Sequence, residues 1–199
     1  FGLKREYMEY DEVFSTAITD VRHELAKSGT QPPSFMIMRP SSQLKKMITD
    51  PPRNALYPAQ NLDGDIFSDI SAALGGSLAT ASSIIESKDG TMLYEAPHGT
   101  AHDLYLRYVQ SEGSEAHFNS SALIYAVANA LETLARREDN AALAEYSRQL
   151  KDALIDTVDQ GIITGDLKGK TVDPAAEAVV DMYGFLDAVE RNLDLRAGQ

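Results

Sequence analysis

The sequence of 199 residues has no cysteine, no tryptophan and few basic residues, and no hydrophobic run approaches the roughly 20 residues that a membrane-spanning helix needs. The absence of cysteine excludes disulfides, thiolate catalysis and zinc sites with cysteine ligands. Eighteen lysines and arginines against 30 aspartates and glutamates give a formal charge of −12. Such an acidic surface argues against nucleic acid or an anionic membrane as a partner.

What is present is the composition of a globular protein, with 43% apolar and 24% charged residues, enough for one large domain or two small ones. Apolar residues spaced three or four apart predict helices over 9–27, 119–137 and 141–160. In the remaining segments, capping and turn residues predict helices over 41–48, 65–74 and 173–195, and strands over 34–38, 55–60 and 91–96. The pattern predicts an α/β first part and a helix-rich C-terminus.

The most informative segment is 61–69, which reads Asn-Leu-Asp-Gly-Asp-Ile-Phe-Ser-Asp. If a helix begins at Asp65, then Asp69 lies one turn later on the same face, so that two carboxylates converge. Hard oxygen ligands at that spacing suit Mg²⁺ or Mn²⁺, with substrate oxygens and water completing the coordination. The same side chains can instead cap the helix or remain solvated. The spacing alone leaves both interpretations open.

A second candidate is the turn His98-Gly99-Thr100, which lies between a predicted strand and a predicted helix. Such a turn can present backbone N–H groups to a phosphate, because glycine permits close approach. An ordinary strand-to-helix turn explains the three residues equally well. The sequence contains no glycine-rich dinucleotide motif, P-loop or nucleophile elbow.

Taken in order, these segments resemble the C-terminal half of an isocitrate dehydrogenase, within the isocitrate/isopropylmalate dehydrogenase family. Residues 61–69 are similar to the family's N-Y-D-G-D-x-x-S-D metal motif, and residues 95–100 to its E-A-x-H-G-T nucleotide loop. The resemblance continues in order through Gly76-Ser77-Leu78 (G-S-L), Phe118-Asn119-Ser120-Ser121-Ala122 (T-N-P-I-A), residues 157–167 (T-I-E-x-G…T-x-D-L) and residues 185–193 (F-M-D-x-L-x-x-N-L).

The resemblance implies a partial isocitrate/isopropylmalate dehydrogenase fold. Residues 1–75 would be a remnant of the small or clasp domain with the metal-motif helix, and residues 76–199 the C-terminal part of the large α/β domain. It also implies two sets of site residues, namely Asp65 and Asp69 for the metal, and His98, Gly99, Thr100, Asp103 and Asn119 for the nucleotide.

Before residue 61 the resemblance decays where the family carries its chemistry. In the register counted back from Asn61, the metal-binding Asp that one subunit lends to its neighbour is Ser42, and the family's Tyr and His are Met36 and Met38. The same resemblance would place the family's catalytic Lys just before Phe1, and its substrate-binding Ser, Asn and Arg cluster in the portion of the family that precedes these residues. Two carboxylates without a substrate chelate bind Mg²⁺ weakly. We therefore assign no catalytic residue and expect no bound metal or nucleotide in the native state.

Cofactor choice is indicated by the two residues after His102. NADP-using members of the family have an Arg-His pair there that contacts the 2′-phosphate, and this sequence has Asp103 and Leu104. An acidic residue suits a ribose 2′-OH and repels a phosphate, so an active protein would use NAD with Mg²⁺ or Mn²⁺. Asp103 can equally be an ordinary residue at the start of a helix.

Two functional hypotheses follow from the resemblance. The first is a non-catalytic structural subunit of a larger complex, in which other subunits, or a second copy in a dimer, cover its exposed edges. The second is an NAD-dependent isocitrate dehydrogenase that forms 2-oxoglutarate and is completed by another chain or seen only in part. The family's habit and a first residue other than Met favour the mitochondrial matrix, with the cytoplasm as the alternative.

Overall fold

A computed structural model describes residues 2–3, 9–34, 37–51, 56–97, 102–112 and 118–198, with the backbone alone at residues 2, 3, 9–11, 37, 78, 103 and 104. The helices are α1 (Glu9–Lys27), α2 (Pro40–Thr49), α3 (Asn61–Leu74), α4 (His102–Gln110), α5 (Ser121–Arg137), α6 (Ala141–Asp159) and α7 (Met182–Ala197). The strands are β1 (Gly2–Leu3), β2 (Ile37–Met38), β3 (Ser83–Glu86), β4 (Met92–Glu95), β5 (Ile162–Ile163) and β6 (Ala178–Val179). Within the described ranges, no helix is long and apolar enough to cross a membrane.

The chain divides into two compact units, Phe1–Ser71 and Ala72–Gln199. The boundary falls inside α3, so this one helix contributes to both units. The assignment of residues 1–75 to a small-domain remnant and of 76–199 to a large domain stays a prediction.

The first unit contains α1, α2, most of α3 and a short parallel pairing of β1 with β2. The predicted helix over 41–48 exists, but Ser41, which the sequence predicts as its N-terminal cap, lies within the first turn instead. Helix α2 begins with Pro40, whose fixed φ suits the first turn, and the N-cap residue Arg39 makes no capping bond with its side chain. Residues 56–60 have no regular structure where a strand was expected, and α3 begins at Asn61, four residues earlier than predicted.

Helices α5, α6 and α7 form the core of the second unit. Leu154 of α6 packs with Phe185 and Val189 of α7, and all three side chains are almost completely buried. The two helices predicted from apolar spacing over 119–137 and 141–160 are confirmed as α5 and α6. The start of α6 is fixed by Asn140, whose side-chain oxygen accepts a hydrogen bond from the backbone N–H of Leu143 at 3.0 Å.

Two small sheets complete the second unit. Strands β3 and β4 pair in antiparallel register, and β4 confirms the strand predicted over 91–96. Strands β5 and β6 pair in parallel. Gly161, at the turn before β5, has a φ of +77°, and it lies so close to the Ala176 backbone that a Cβ would come within 2.7 Å of the Ala176 carbonyl oxygen. Glycine suits this position on both counts.

The prediction of a single final helix over 173–195 is wrong at its start. Pro174 opens only a turn of 3₁₀-helix, after which the chain extends into β6. The backbone N–H of Ala178 donates to the carbonyl oxygen of Gly161 at 2.8 Å. Because this N–H is used for pairing between strands, residues 178–179 are extended and do not continue the helical turn. Helix α7 then begins after Asp181, whose carboxylate accepts from the backbone N–H of Gly184 at 2.8 Å.

Candidate functional site

The acidic motif lies on α3, as its spacing predicted. Asp65 and Asp69 are one helical turn apart, and both are exposed. The hydroxyl of Ser68 donates to the Asp65 carbonyl oxygen at 3.0 Å, so that this serine is committed to the helix backbone. Across the described residues, no group of three or more His, Cys, Asp or Glu side chains could hold a metal ion. The motif therefore offers two carboxylates, which bind Mg²⁺ or Mn²⁺ only if substrate oxygens and water complete the coordination.

Ser42, the position from which the resemblance expects a third carboxylate to be lent to a neighbouring subunit, is exposed on α2. A serine hydroxyl is a poor substitute for a carboxylate towards a hard divalent cation, because it carries no charge. Met38 stands in β2 at the place of the family's His, and Met36 lies outside the described residues.

The nucleotide loop His98-Gly99-Thr100 also lies outside the described residues. Asp103 belongs to α4, which begins at His102, and its backbone alone is described. The assignment of these four residues to a nucleotide stays a prediction.

Asn119 is the one residue of the proposed nucleotide set whose side chain the structure describes, and it is buried. Its Nδ2 donates to Oδ2 of Asp166 at 2.9 Å, and its Oδ1 accepts from the backbone N–H of Ser121 at 2.9 Å. The second bond satisfies a backbone donor at the start of α5, where the N-cap Ser120 makes no capping bond with its side chain. Asn119 is thus held by its own chain on both sides of its amide.

Asp166 lies at the centre of this arrangement and accepts three hydrogen bonds. The hydroxyl of Ser77 donates to Oδ2 at 2.5 Å, Asn119 donates to the same oxygen, and the hydroxyl of Thr164 donates to Oδ1 at 2.5 Å. Burial raises the pKa of Asp166, but the three donors together outweigh burial and hold this pKa below its ordinary value. The carboxylate joins the loop after α3, the segment before α5 and the turn after β5. We call Ser77, Asn119, Thr164 and Asp166 together the Asp166 junction.

The sequence motifs contain the residues of the Asp166 junction but did not reveal their role. Ser77 lies in the G-S-L segment, and Thr164 and Asp166 lie in the T-x-D-L segment. A role for them could have been inferred only by knowing that three segments distant in sequence meet.

Comparison with known proteins identifies the family and the fold. The sequence pattern of the family described as isocitrate/isopropylmalate dehydrogenase matches residues 41–183. The chain belongs to the isocitrate/isopropylmalate dehydrogenase family. Its structure is similar to that of a beta-decarboxylating dehydrogenase from Thermococcus kodakarensis in the apo form, with a TM-score of 0.74, 20% sequence identity, and coverage of 100% of this chain and 50% of that chain. The predicted partial α/β fold of this family, with its helix-rich C-terminus, is confirmed.

Several relatives are NADP-dependent isocitrate dehydrogenases by name. The mitochondrial protein of Saccharomyces cerevisiae is 38% identical over 136 residues, which cover 67% of this chain and 31% of that relative. The peroxisomal and cytosolic proteins of Arabidopsis thaliana are each 36% identical over 71% of this chain and cover 34% and 35% of their own lengths. The chain therefore spans about a third of the length of these relatives, which belong to three different compartments.

Proposed function

We propose that this chain contributes a folded isocitrate-dehydrogenase-like body to a larger assembly and does not itself oxidise isocitrate. The incomplete metal site carries the proposal. Asp65 and Asp69 are exposed on α3, and Ser42 occupies the place of the carboxylate that one subunit would lend to its neighbour, so that a dimer of this chain would also lack a third carboxylate. A divalent ion that polarises the 2-oxo group must be held firmly in the reacting geometry, and two exposed carboxylates alone do not achieve this.

An apolar stripe on α5 supports the part of the proposal that concerns partners. Leu123, Val127 and Leu134 are 58%, 47% and 42% exposed, and their spacing of four and seven residues places them on one helix face. Ile84 and Leu93, in the hairpin of β3 and β4, are about half exposed as well. Exposed apolar surface of this kind is typical of protein interfaces. Other subunits, or a second copy of the chain, would cover it.

Enzyme assays and sedimentation on one purified preparation test this proposal. With isocitrate, Mg²⁺ and either NAD or NADP, we expect no reduced cofactor. In sedimentation we expect a species heavier than the 21.7 kDa of a single chain. A stable, well-folded monomer would contradict the proposed role in an assembly.

The second candidate is an NAD-dependent isocitrate dehydrogenase that another polypeptide completes. It is favoured by the two metal-motif carboxylates, which remain exposed on α3. The matched variants are Asp65→Asn and Asp69→Asn, which keep the size of each side chain and remove its charge. Metal-dependent activity that either variant abolishes would establish the second candidate and overturn the first.

The cofactor preference is a separate part of the proposal. The relatives above are NADP enzymes by name, whereas Asp103 and Leu104 replace the basic pair of NADP-using members. We propose that residual nucleotide binding favours NAD and is weaker than about 100 μM, or about −5.5 kcal/mol. Calorimetric titration of the unchanged chain and of Asp103→Arg tests this preference. Tight NADP binding by the unchanged chain would contradict it, and a gain of NADP binding by the variant would support it.

We further propose that the protein works in mitochondria, as the yeast relative does by name. Cell fractionation with antibodies against the native chain tests the location, and recovery in the cytosol or in peroxisomes would contradict it.

A further inference from the structure

A small cavity of about 210 Å³ lies within the first unit, between α2, α3 and the segment before α3. Gln43 and Met47 of α2, Tyr57 of the connecting segment and Phe67 of α3 form much of its lining. Phe67 is buried, and burial also raises the pKa of Tyr57. The cavity is separate from the exposed carboxylates of the metal motif, which do not line it.

Gln43 is the unusual feature of this lining. Its side chain is only 2% exposed, yet neither its Nε2 nor its Oε1 has a hydrogen-bond partner within the part of the chain that the structure describes. Buried polar groups in native proteins are nearly always paired, because an unpaired buried amide keeps its full desolvation cost. A primary amide presents a donor beside an acceptor in one plane. The site therefore offers both halves of a two-point hydrogen-bond contact.

The other polar groups of the lining restrict the ligand further. The hydroxyls of Ser68 and Ser71 donate to helix carbonyl oxygens at 3.0 and 2.7 Å, so both can only accept from a ligand. None of the lining residues carries a charge, which favours a neutral ligand. An apolar cavity of about 150 Å³ accepts benzene, so a cavity of this size accommodates a single ring.

We propose that this cavity binds a neutral, flat, single-ring molecule with a lactam or carboxamide edge. In that complex Nε2 of Gln43 donates to the carbonyl oxygen of the ligand, and Oε1 accepts from its N–H. The ring then lies among Met47, Tyr57 and Phe67, where it gains apolar and aromatic contact.

The test uses the whole chain and 2-pyridone, a six-membered lactam with an N–H beside its carbonyl group. Binding to either protein is followed by NMR through the ring signals of Tyr57 and Phe67, which line the cavity in both. The side-chain NH₂ signals of Gln43, identified by their disappearance in Gln43→Met, report the contact in the unchanged chain. We expect 2-pyridone to bind the unchanged chain at least tenfold more tightly than the variant, because the variant keeps the volume but loses both hydrogen bonds. Benzene is the matched control and should bind both proteins alike.

Equal binding of 2-pyridone to both proteins, or no binding to the unchanged chain, would overturn the proposal. If Gln43→Met does not fold, N-methyl-2-pyridone with the unchanged chain tests the same contact, because it lacks the N–H that Oε1 accepts. Binding of that compound as tight as 2-pyridone would likewise overturn the proposal. None of these results depends on isocitrate oxidation or on nucleotide binding, so the proposed function stands or fails separately.

Discussion

At Asp166, burial and hydrogen bonding act in opposite directions on one carboxyl group, and hydrogen bonding prevails. Asn119 shows what such a contact does to a neighbour. The family motif predicts this residue as a nucleotide contact, which stays a prediction, and in the fold its amide is held between Asp166 and the start of α5. A motif identifies the residue type that a site needs, whereas its partners depend on segments that come together only in the fold. For Gln43 no sequence signal existed, because burial of one glutamine on an amphipathic helix has no pattern of its own.

We expect Asp166→Asn to lower the free energy of unfolding by about 2 kcal/mol at pH 7, because the neutral amide is a weaker acceptor for three donors. The pKa of Asp166 is lowered in the folded state, so its stabilisation is present above the ordinary pKa of 3.8 and is lost as pH falls through the folded value. Urea unfolding between pH 7 and pH 3 should therefore show the difference between the two proteins shrinking below about pH 4.

Asp187→Asn, at an exposed position of α7, is the control and should change stability little at any pH. A difference between Asp166→Asn and the unchanged chain that stays constant down to pH 3 would show that the carboxylate charge has no role.

We expect Gln43→Met to raise the free energy of unfolding by about 1–2 kcal/mol, because it replaces an unpaired buried amide with an apolar side chain of similar length. Thermal unfolding in the absence of ligand measures the change. The same substitution at the exposed Gln110 should be nearly neutral. A loss of stability at position 43 would mean that the amide is satisfied in solution.

At the scale of elements, periodicity predicted the long helices well and the short strands poorly. Helices α5 and α6 each bury one face, so their apolar spacing is visible in the sequence. Strands β5 and β6 have two residues each and exist only because they pair with each other across 14 intervening residues. No local pattern distinguishes such strands, and for this reason the sequence predicts one continuous helix from residue 173.

The turn before β5 gives a prediction at this scale. We expect Gly161→Ala to lower the free energy of unfolding by about 3 kcal/mol, since it combines a left-handed φ with a Cβ only 2.7 Å from the Ala176 carbonyl oxygen. Gly169→Ala is the matched control, because its φ of +75° is similar and no atom lies within 4 Å of the added Cβ. The control should cost about 1 kcal/mol. Equal losses of unfolding free energy for the two variants in chemical denaturation would show that the positive φ alone, and not the contact with Ala176, determines the cost.

At the scale of the whole molecule, the family and the fold class could be predicted because motifs in order along the chain carry that information. The exposed apolar stripe of α5 could not be predicted in this way. The spacing of Leu123, Val127 and Leu134 is that of any amphipathic helix, and it does not indicate which face of the helix a neighbour covers. Only the packed structure shows that these three side chains stay exposed.

We expect Val127→Lys to reduce self-association or partner binding without unfolding the chain, because a charge would then lie within the apolar stripe. Sedimentation velocity measures assembly, and circular dichroism checks the fold. Leu195→Lys, at a residue 67% exposed on α7, is the control and should leave assembly unchanged. Identical sedimentation of both variants and the unchanged chain would exclude the stripe as the interface.

The Asp166 junction has a consequence for the order in which the second unit folds. Its donors Asn119 and Ser77 are 47 and 89 residues away from Asp166 along the chain. Closing loops of that length is entropically unfavourable before α5 and α6 have packed, and so we expect the junction to form after the folding transition state. Its loss in Asp166→Asn is then expected in the unfolding limb of a chevron plot, with the refolding rate nearly unchanged. The junction would then give the second unit kinetic stability, because it slows unfolding without changing how fast the helices come together.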